Sequence, residues 1–176
     1  MTRRPVKEVH VERPGGNPAR EAELASLSNR RVLVVGAARS GLAAAAWLAR
    51  QGARVTLADA RDDADTTAVA GSGVAVELGP HRAETFAAAE LIVMSPGVSP
   101  WLPVVQASRL RGTPVIGELE LAARMLRGRL VAVTGTKGKS TTTTLIGRML
   151  EQGGLRAVAG GNLGPALSGQ IDESTE

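Results

Sequence analysis

The segment Gly135-Thr136-Lys137-Gly138-Lys139-Ser140 has the residue types that hold phosphate. Glycines let backbone N–H groups converge on phosphate oxygens without a Cβ in the way. The segment lies between an apolar run, Leu130-Val131-Ala132-Val133, and a helical pattern from Lys139 to Gln152. A phosphate loop needs that strand–loop–helix context. The helix N-terminus adds partial positive charge. Lys139 would bring a full charge to the terminal phosphates of a nucleotide, and the Ser140 hydroxyl is placed to ligate Mg²⁺. The match is partial, because the general pattern opens with a glycine where this chain has Val133. The hydroxyls of Thr141 to Thr144 start a helix for which threonine has poor propensity. They could cap free N–H groups or touch phosphate.

A second loop, Gly36-Ala37-Ala38-Arg39-Ser40-Gly41, follows an apolar run and opens an Ala-rich helix. It is similar to the dinucleotide fingerprint, with Ala38 where a glycine normally lets the backbone approach a pyrophosphate. Asp59 stands at the end of the next strand pattern, where NAD enzymes place an acid for the ribose hydroxyls. An NAD-dependent oxidoreductase or sensor is therefore one reading. Ala38 weighs against it, and it leaves the second loop without a role.

These loops need a sheet behind them, and the sequence supplies one. Short β-branched runs are predicted as buried parallel strands at 31–35, 53–58, 74–78, 91–94 and 114–116. Helical patterns occupy 40–51, 82–89, 104–111 and 118–126. Repeated βα units of this length imply an α/β fold with a Rossmann-like, doubly wound parallel sheet over residues 29–127. Arg127-Gly128-Arg129 reads as a boundary. Residues 128–176 read as the incomplete start of a second, P-loop α/β domain: strands at 130–133 and 156–159 flank the helix at 139–152. Residues 1–28, with Arg13-Pro14-Gly15-Gly16-Asn17-Pro18, read as a flexible extension. The tail from Gly169 is polar and patternless, so Asp172-Glu173 is expected to be solvated charge.

Composition narrows the class. Phe, Trp and Tyr supply 2% of 176 residues, so the core is built from Val, Leu, Ile and Ala. Trp47 and Trp101 are expected to pack. The absence of cysteine excludes disulfides and thiolate chemistry. The net charge is +4, but the basic residues are scattered and aromatic platforms are scarce, so no nucleic-acid partner is expected. No apolar run approaches the roughly 20 residues of a membrane span, and Arg3, Arg4 and Lys7 precede no apolar signal region. A cytoplasmic location without a membrane partner is the expectation. His10 and His81 stand alone, with no visible cluster to hold a metal.

Two such loops in this order, about 100 residues apart, are unusual. With Asp59-Ala60-Arg61, Ser95-Pro96-Gly97-Val98, Gly117-Glu118-Leu119-Glu120-Leu121 and Gly160-Gly161-Asn162-Leu163-Gly164, the chain from about 30 to 167 resembles the Mur ligase family, in its D-glutamate-adding branch. The resemblance implies ATP-dependent amide-bond formation through an acyl phosphate, in peptidoglycan precursor synthesis. UDP-N-acetylmuramoyl-L-alanine, ATP with Mg²⁺, and D-glutamate are the implied partners. It implies that Arg39 and Ser40 lie at the diphosphate, Asp59 and Arg61 where uracil is held, Gly97 facing the same nucleotide, and Asn162 near the sugar and phosphates. Gly135, Thr136, Lys137, Gly138, Lys139, Ser140 and Thr141 match the ATP loop, with Lys139 and Ser140 carrying the catalytic and metal roles.

Ala38, Ala60 and Lys137 depart from the family pattern. Lys137 could tighten a bound nucleotide or face solvent. The family's remaining metal ligands, its modified lysine and its D-glutamate site are expected beyond residue 176. The 176-residue chain is therefore expected to be inactive alone; separately, it is expected to be a monomer. The alternative to a ligase fragment is a non-catalytic module that binds UDP-muramoyl peptide or nucleotide.

Overall fold

The computed structural model describes residues 18–161 and 164–172. Five strands form one parallel sheet: β1 (Arg31–Val35), β2 (Arg54–Asp59), β3 (Ala75–Leu78), β4 (Leu91–Met94) and β5 (Val115–Gly117). Their order is β3-β2-β1-β4-β5. The chain moves outward from β1 to β2 and β3, then returns to place β4 on the other side of β1. That reversal creates a crevice between the C-terminal ends of β1 and β4, the place where open α/β sheets bind ligands.

The strands carry apolar residues on both faces because both faces are covered. Val32 and Val34 of β1 enter one core with Leu91 and Val93 of β4. Their neighbours Leu33, Val35, Ile92 and Met94 enter a second core on the opposite face. The first core is closed by α2 (Arg39–Arg50) and α5 (Glu118–Met125), through Ala44, Ala45, Trp47, Leu48, Leu121, Ala122 and Met125. The second is closed by α3 (Ala83–Ala88) and α4 (Pro103–Leu110), through Phe86 and Val105. Trp47 packs as expected. Trp101 does not, since it is 77% exposed.

The predicted extension is partly wrong. Residues 1–17 lie outside the described residues. Pro18–Ala25 forms helix α1, with Pro18 in the first turn, where its missing N–H costs nothing. Arg20 Nε donates to the Met125 carbonyl at 2.7 Å, Glu23 pairs with Arg124 at 3.0 Å, and Leu27 is buried. These contacts join distant parts of the chain, which local sequence cannot announce.

The second unit differs more. Helix α6 (Lys139–Gln152) forms over the predicted span. The strands predicted at 130–133 and 156–159 do not: both segments lack regular structure, and Leu130, Val131 and Val158 are exposed. A parallel strand needs neighbours for its backbone groups and cover for both faces. Among the described residues these segments have neither, and α6 buries none of its residues.

Candidate functional site

Three loops meet at the crevice. Gly36 ends β1 with φ +99°, and its N–H donates to the Ala58 carbonyl at 2.7 Å. Helix α2 then starts so close to this turn that a Cβ built on Gly41 would lie 1.8 Å from the Gly36 carbonyl oxygen. Ser95, at the end of β4, is buried and donates its hydroxyl to that same oxygen at 2.9 Å. The β1 and β4 loops are thus locked together through one carbonyl. Ala38 caps α2 with φ −87° and ψ 176°, ordinary extended backbone that needs no glycine. The alanine departure therefore leaves the loop geometry intact.

Arg39 and Ser40 are the first two residues of α2; Arg39 is exposed and Ser40 half-buried. The cap residue supplies no side-chain hydrogen bond. The first N–H groups of a helix have no intrahelical acceptor, so this end favours an anion. Gly97 is exposed in the β4 loop, and a Cβ there would meet nothing within 4 Å.

Asp59 and Arg61 stand at the end of β2. The Asp59 carboxylate is buried and takes four hydrogen bonds. Oδ1 accepts from the Arg61 N–H at 2.9 Å and from Arg61 Nε at 3.0 Å. Oδ2 accepts from the Ala37 N–H at 2.6 Å and from Arg61 Nη2 at 3.2 Å. The Arg61 side chain is the largest influence holding this carboxyl at about 2, below its ordinary 3.8. Burial opposes it, and the backbone N–H groups of Arg61 and Ala37 reinforce it. Because a carboxylate offers about four acceptor positions, none remains for ribose hydroxyls. Asp59 acts as a brace between β2 and the first glycine loop, and Arg61 is the outward-facing group, with its side chain 60% exposed.

The second loop is geometrically suited to phosphate but stands free. Gly135 and Gly138 have φ of +148° and +79°, and Gly138 caps α6 in the left-handed region. The α6 N-terminus has no side-chain cap. Thr136, Lys137, Gly138, Lys139, Ser140 and Thr141 are all exposed. Lys139 Nζ turns back onto the Gly135 carbonyl. Left-handed glycines, a lysine and an open helix end fit a phosphate. For Mg²⁺ the loop offers the Ser140 hydroxyl, and no group of three or more His, Cys, Asp or Glu residues gathers among the described residues. Asn162 lies outside the described residues.

Sequence reasoning missed two residues. Nothing singled out the Ser95 hydroxyl as the lock between loops, since a serine beside Pro96 reads as loop. Glu118 lay in a noted block, but its burial and its bond to the Ser168 N–H at 2.8 Å join positions fifty apart.

A parallel sheet with a glycine turn and a helix N-terminus at its switch point, and an acid–arginine brace between β2 and that turn, defines an α/β domain of the Rossmann type. Residues 30–117 match the model of the Mur ligase MurD-like N-terminal domain, and the chain belongs to that family. It is 48% identical over 145 residues to the UDP-N-acetylmuramoylalanine--D-glutamate ligase of Desulfatibacillum aliphaticivorans, covering 80% of this chain and 32% of the relative. It is 51% identical over 146 residues to the ligase of the same name from Anaeromyxobacter dehalogenans, covering 81% and 31%. The chain thus spans about a third of the length of the curated relatives it matches. Among solved structures, a murein peptide ligase from Psychrobacter arcticus shares the fold, with a TM-score of 0.51 at 22% identity over 71% of this chain and 27% of that one. No helix among the described residues is long and apolar enough to cross a membrane.

Proposed function

We propose that residues 29–127 bind the UDP part of UDP-N-acetylmuramoyl-L-alanine, and that the chain is the front part of an ATP-dependent, cytoplasmic ligase that joins D-glutamate to that substrate. The observation that carries this reading is the saturated Asp59 carboxylate. In an NAD site the acid at this position must be free for ribose hydroxyls. Here it is spent on Ala37 and Arg61. The guanidinium is left with N–H groups pointing outward, suited to the carbonyl oxygens of a base. Arg39, Ser40 and the open end of α2 face the diphosphate, and the exposed loop at Gly97 lies across the crevice.

Gly135 to Thr141 would hold the phosphates of ATP, with Lys139 neutralising charge and Ser140 giving Mg²⁺ one oxygen. In such a ligase ATP phosphorylates the substrate carboxylate, the amine of D-glutamate attacks, and phosphate leaves. The protein's part is positioning and charge neutralisation. The 176-residue chain alone is expected to form no D-glutamyl product. Mass spectrometry of a mixture with ATP, UDP-N-acetylmuramoyl-L-alanine and D-glutamate checks this, and turnover abolished by Lys139→Ala would overturn it.

The UDP assignment is tested by titrating UDP-N-acetylmuramoyl-L-alanine into Arg61→Ala. A lost charged hydrogen bond should weaken binding about tenfold or more. Unchanged affinity would reduce Arg61 to a partner of Asp59 and remove the base contact from the proposal.

A further inference from the structure

Past the second glycine cluster the chain returns to the first domain. A 3-10 turn, Leu167–Gln170, packs against α2 and α5. Ala166, Ser168 and Ile171 are buried, and Ile171 belongs to the same core as Trp47 and Leu121. Two polar anchors hold this segment. Glu118, itself only 2% exposed, accepts the Ser168 N–H at 2.8 Å. Asp172 accepts the Trp47 indole N–H at 2.9 Å and pairs with Arg50 Nη2 at 2.9 Å. The expected solvated tail is therefore corrected as far as Asp172; Glu173 lies outside the described residues. A polar sequence hid it, because its apolar contacts are three scattered residues and its charge is used against a partner 122 positions away.

The position of this segment matters. Glu118 directly follows β5, so the anchor sits at the same end of the sheet as the three crevice loops. Leu167 presses on Gly160: a Cβ built there would lie 2.5 Å from Leu167 Cδ1. Gly161 lies against Leu119, whose Cδ2 would be 3.7 Å from such a Cβ. The sheet order places Arg61 at β2, the first glycine loop at β1, Val98 at β4 and this anchored cluster at β5. A ligand whose base lies over β2 and whose diphosphate lies at the β1 loop extends across β4 towards the Gly160-Gly161 turn.

We infer that residues 165–172 form a clasp on the first domain and that Glu118 is a positioning residue. By holding Ser168, it keeps Leu167 against Gly160 and so fixes the Gly160-Gly161 turn where the non-nucleotide part of a UDP-sugar must pass. The ligand consequence rests on the proposed UDP-sugar reading; the clasp itself does not. Two measurements on the full chain separate them. The first is amide exchange of the Ser168 N–H and its neighbours in the wild type, Glu118→Leu and Glu118→Gln. Loss of a buried side-chain acceptor should speed exchange at 166–171 by about ten- to a hundred-fold in Glu118→Leu. The amides of β1 and β4 should keep their protection, and Glu118→Gln, which retains an acceptor oxygen, should restore most of the lost protection. Unprotected residues 166–171 in the wild type, or equal exchange in wild type and Glu118→Leu, would overturn the clasp.

The second measurement is the ratio of affinities for UDP-N-acetylmuramoyl-L-alanine and UDP. The ratio should fall about tenfold in Glu118→Leu, with UDP itself bound as before, and recover in Glu118→Gln. A ratio unmoved by Glu118→Leu overturns the positioning role. A wild type that binds neither ligand defeats the UDP-sugar reading, and the positioning role with it, while the exchange result still decides the clasp.

Discussion

The chain contains two glycine loops, each preceded by an apolar run and followed by a helix, and they meet different fates. The first is braced on every side. Its carbonyl is held by Ser95, its N–H by Ala58, its next N–H by Asp59, and α2 rests on two buried helix turns of Ala and Leu. The second keeps its left-handed glycines and helix α6, but among the described residues the run before it joins no sheet and the helix buries no residue. Local sequence suffices for a turn and a helix. A parallel strand exists only where other strands and covering helices meet it.

The largest effect separating the two loops should come from their glycines. Gly41→Ala would drive a Cβ into the Gly36 carbonyl, a rigid backbone group. We expect a loss of about 3 kcal/mol or more in urea unfolding followed by circular dichroism. If stability stays within experimental error, the first loop is looser than its contacts indicate.

A smaller effect should appear in acid. The Asp59 carboxyl sits at about 2 against an ordinary 3.8. A depressed folded-state value means that its stabilisation is fully present above about pH 4 and is lost as pH falls through 2. The loss is on the order of 2 kcal/mol. Unfolding free energies measured between pH 5 and 2 should therefore converge for the wild type and Asp59→Asn at the acid end. Parallel curves would show that the brace contributes nothing through its charge.

The smallest global effect belongs to the second loop. Gly138 has φ +79°, and alanine there costs about 1–2 kcal/mol locally. Because α6 is not built into the cores, Gly138→Ala should lower helical signal while moving the cooperative midpoint by less than about 0.5 kcal/mol. A large shift of that midpoint would mean that α6 docks on the first domain after all.

This contrast also explains what could be read in advance. The strands β1 and β4 were legible to the residue because continuous β-branched runs between glycine or polar breaks have few other solutions. The parallel sheet followed from their rhythm with the helices. The places of Arg39, Ser40, Asp59 and Gly97 at or just past the ends of β1, β2 and β4 were legible, since each closes or follows an apolar run. Their division of labour was not. That Asp59 serves Ala37 and Arg61, that Ser95 locks two loops and that Glu118 holds Ser168 all depend on pairs distant in sequence. The same holds for α1 and the 165–172 segment, whose order comes from Arg20, Arg124 and Asp172 meeting partners about a hundred positions away.

A crevice between β1 and β4 that is a UDP-sugar site rather than a dinucleotide site must show that preference in binding. Calorimetric titration of the 176-residue chain with UDP-N-acetylmuramoyl-L-alanine and, separately, with NAD tests it most directly. Saturable binding of the UDP-sugar is expected, at least about tenfold tighter than any binding of NAD. Tighter binding of NAD would contradict it, and so would no heat with the UDP-sugar from a chain shown to be folded.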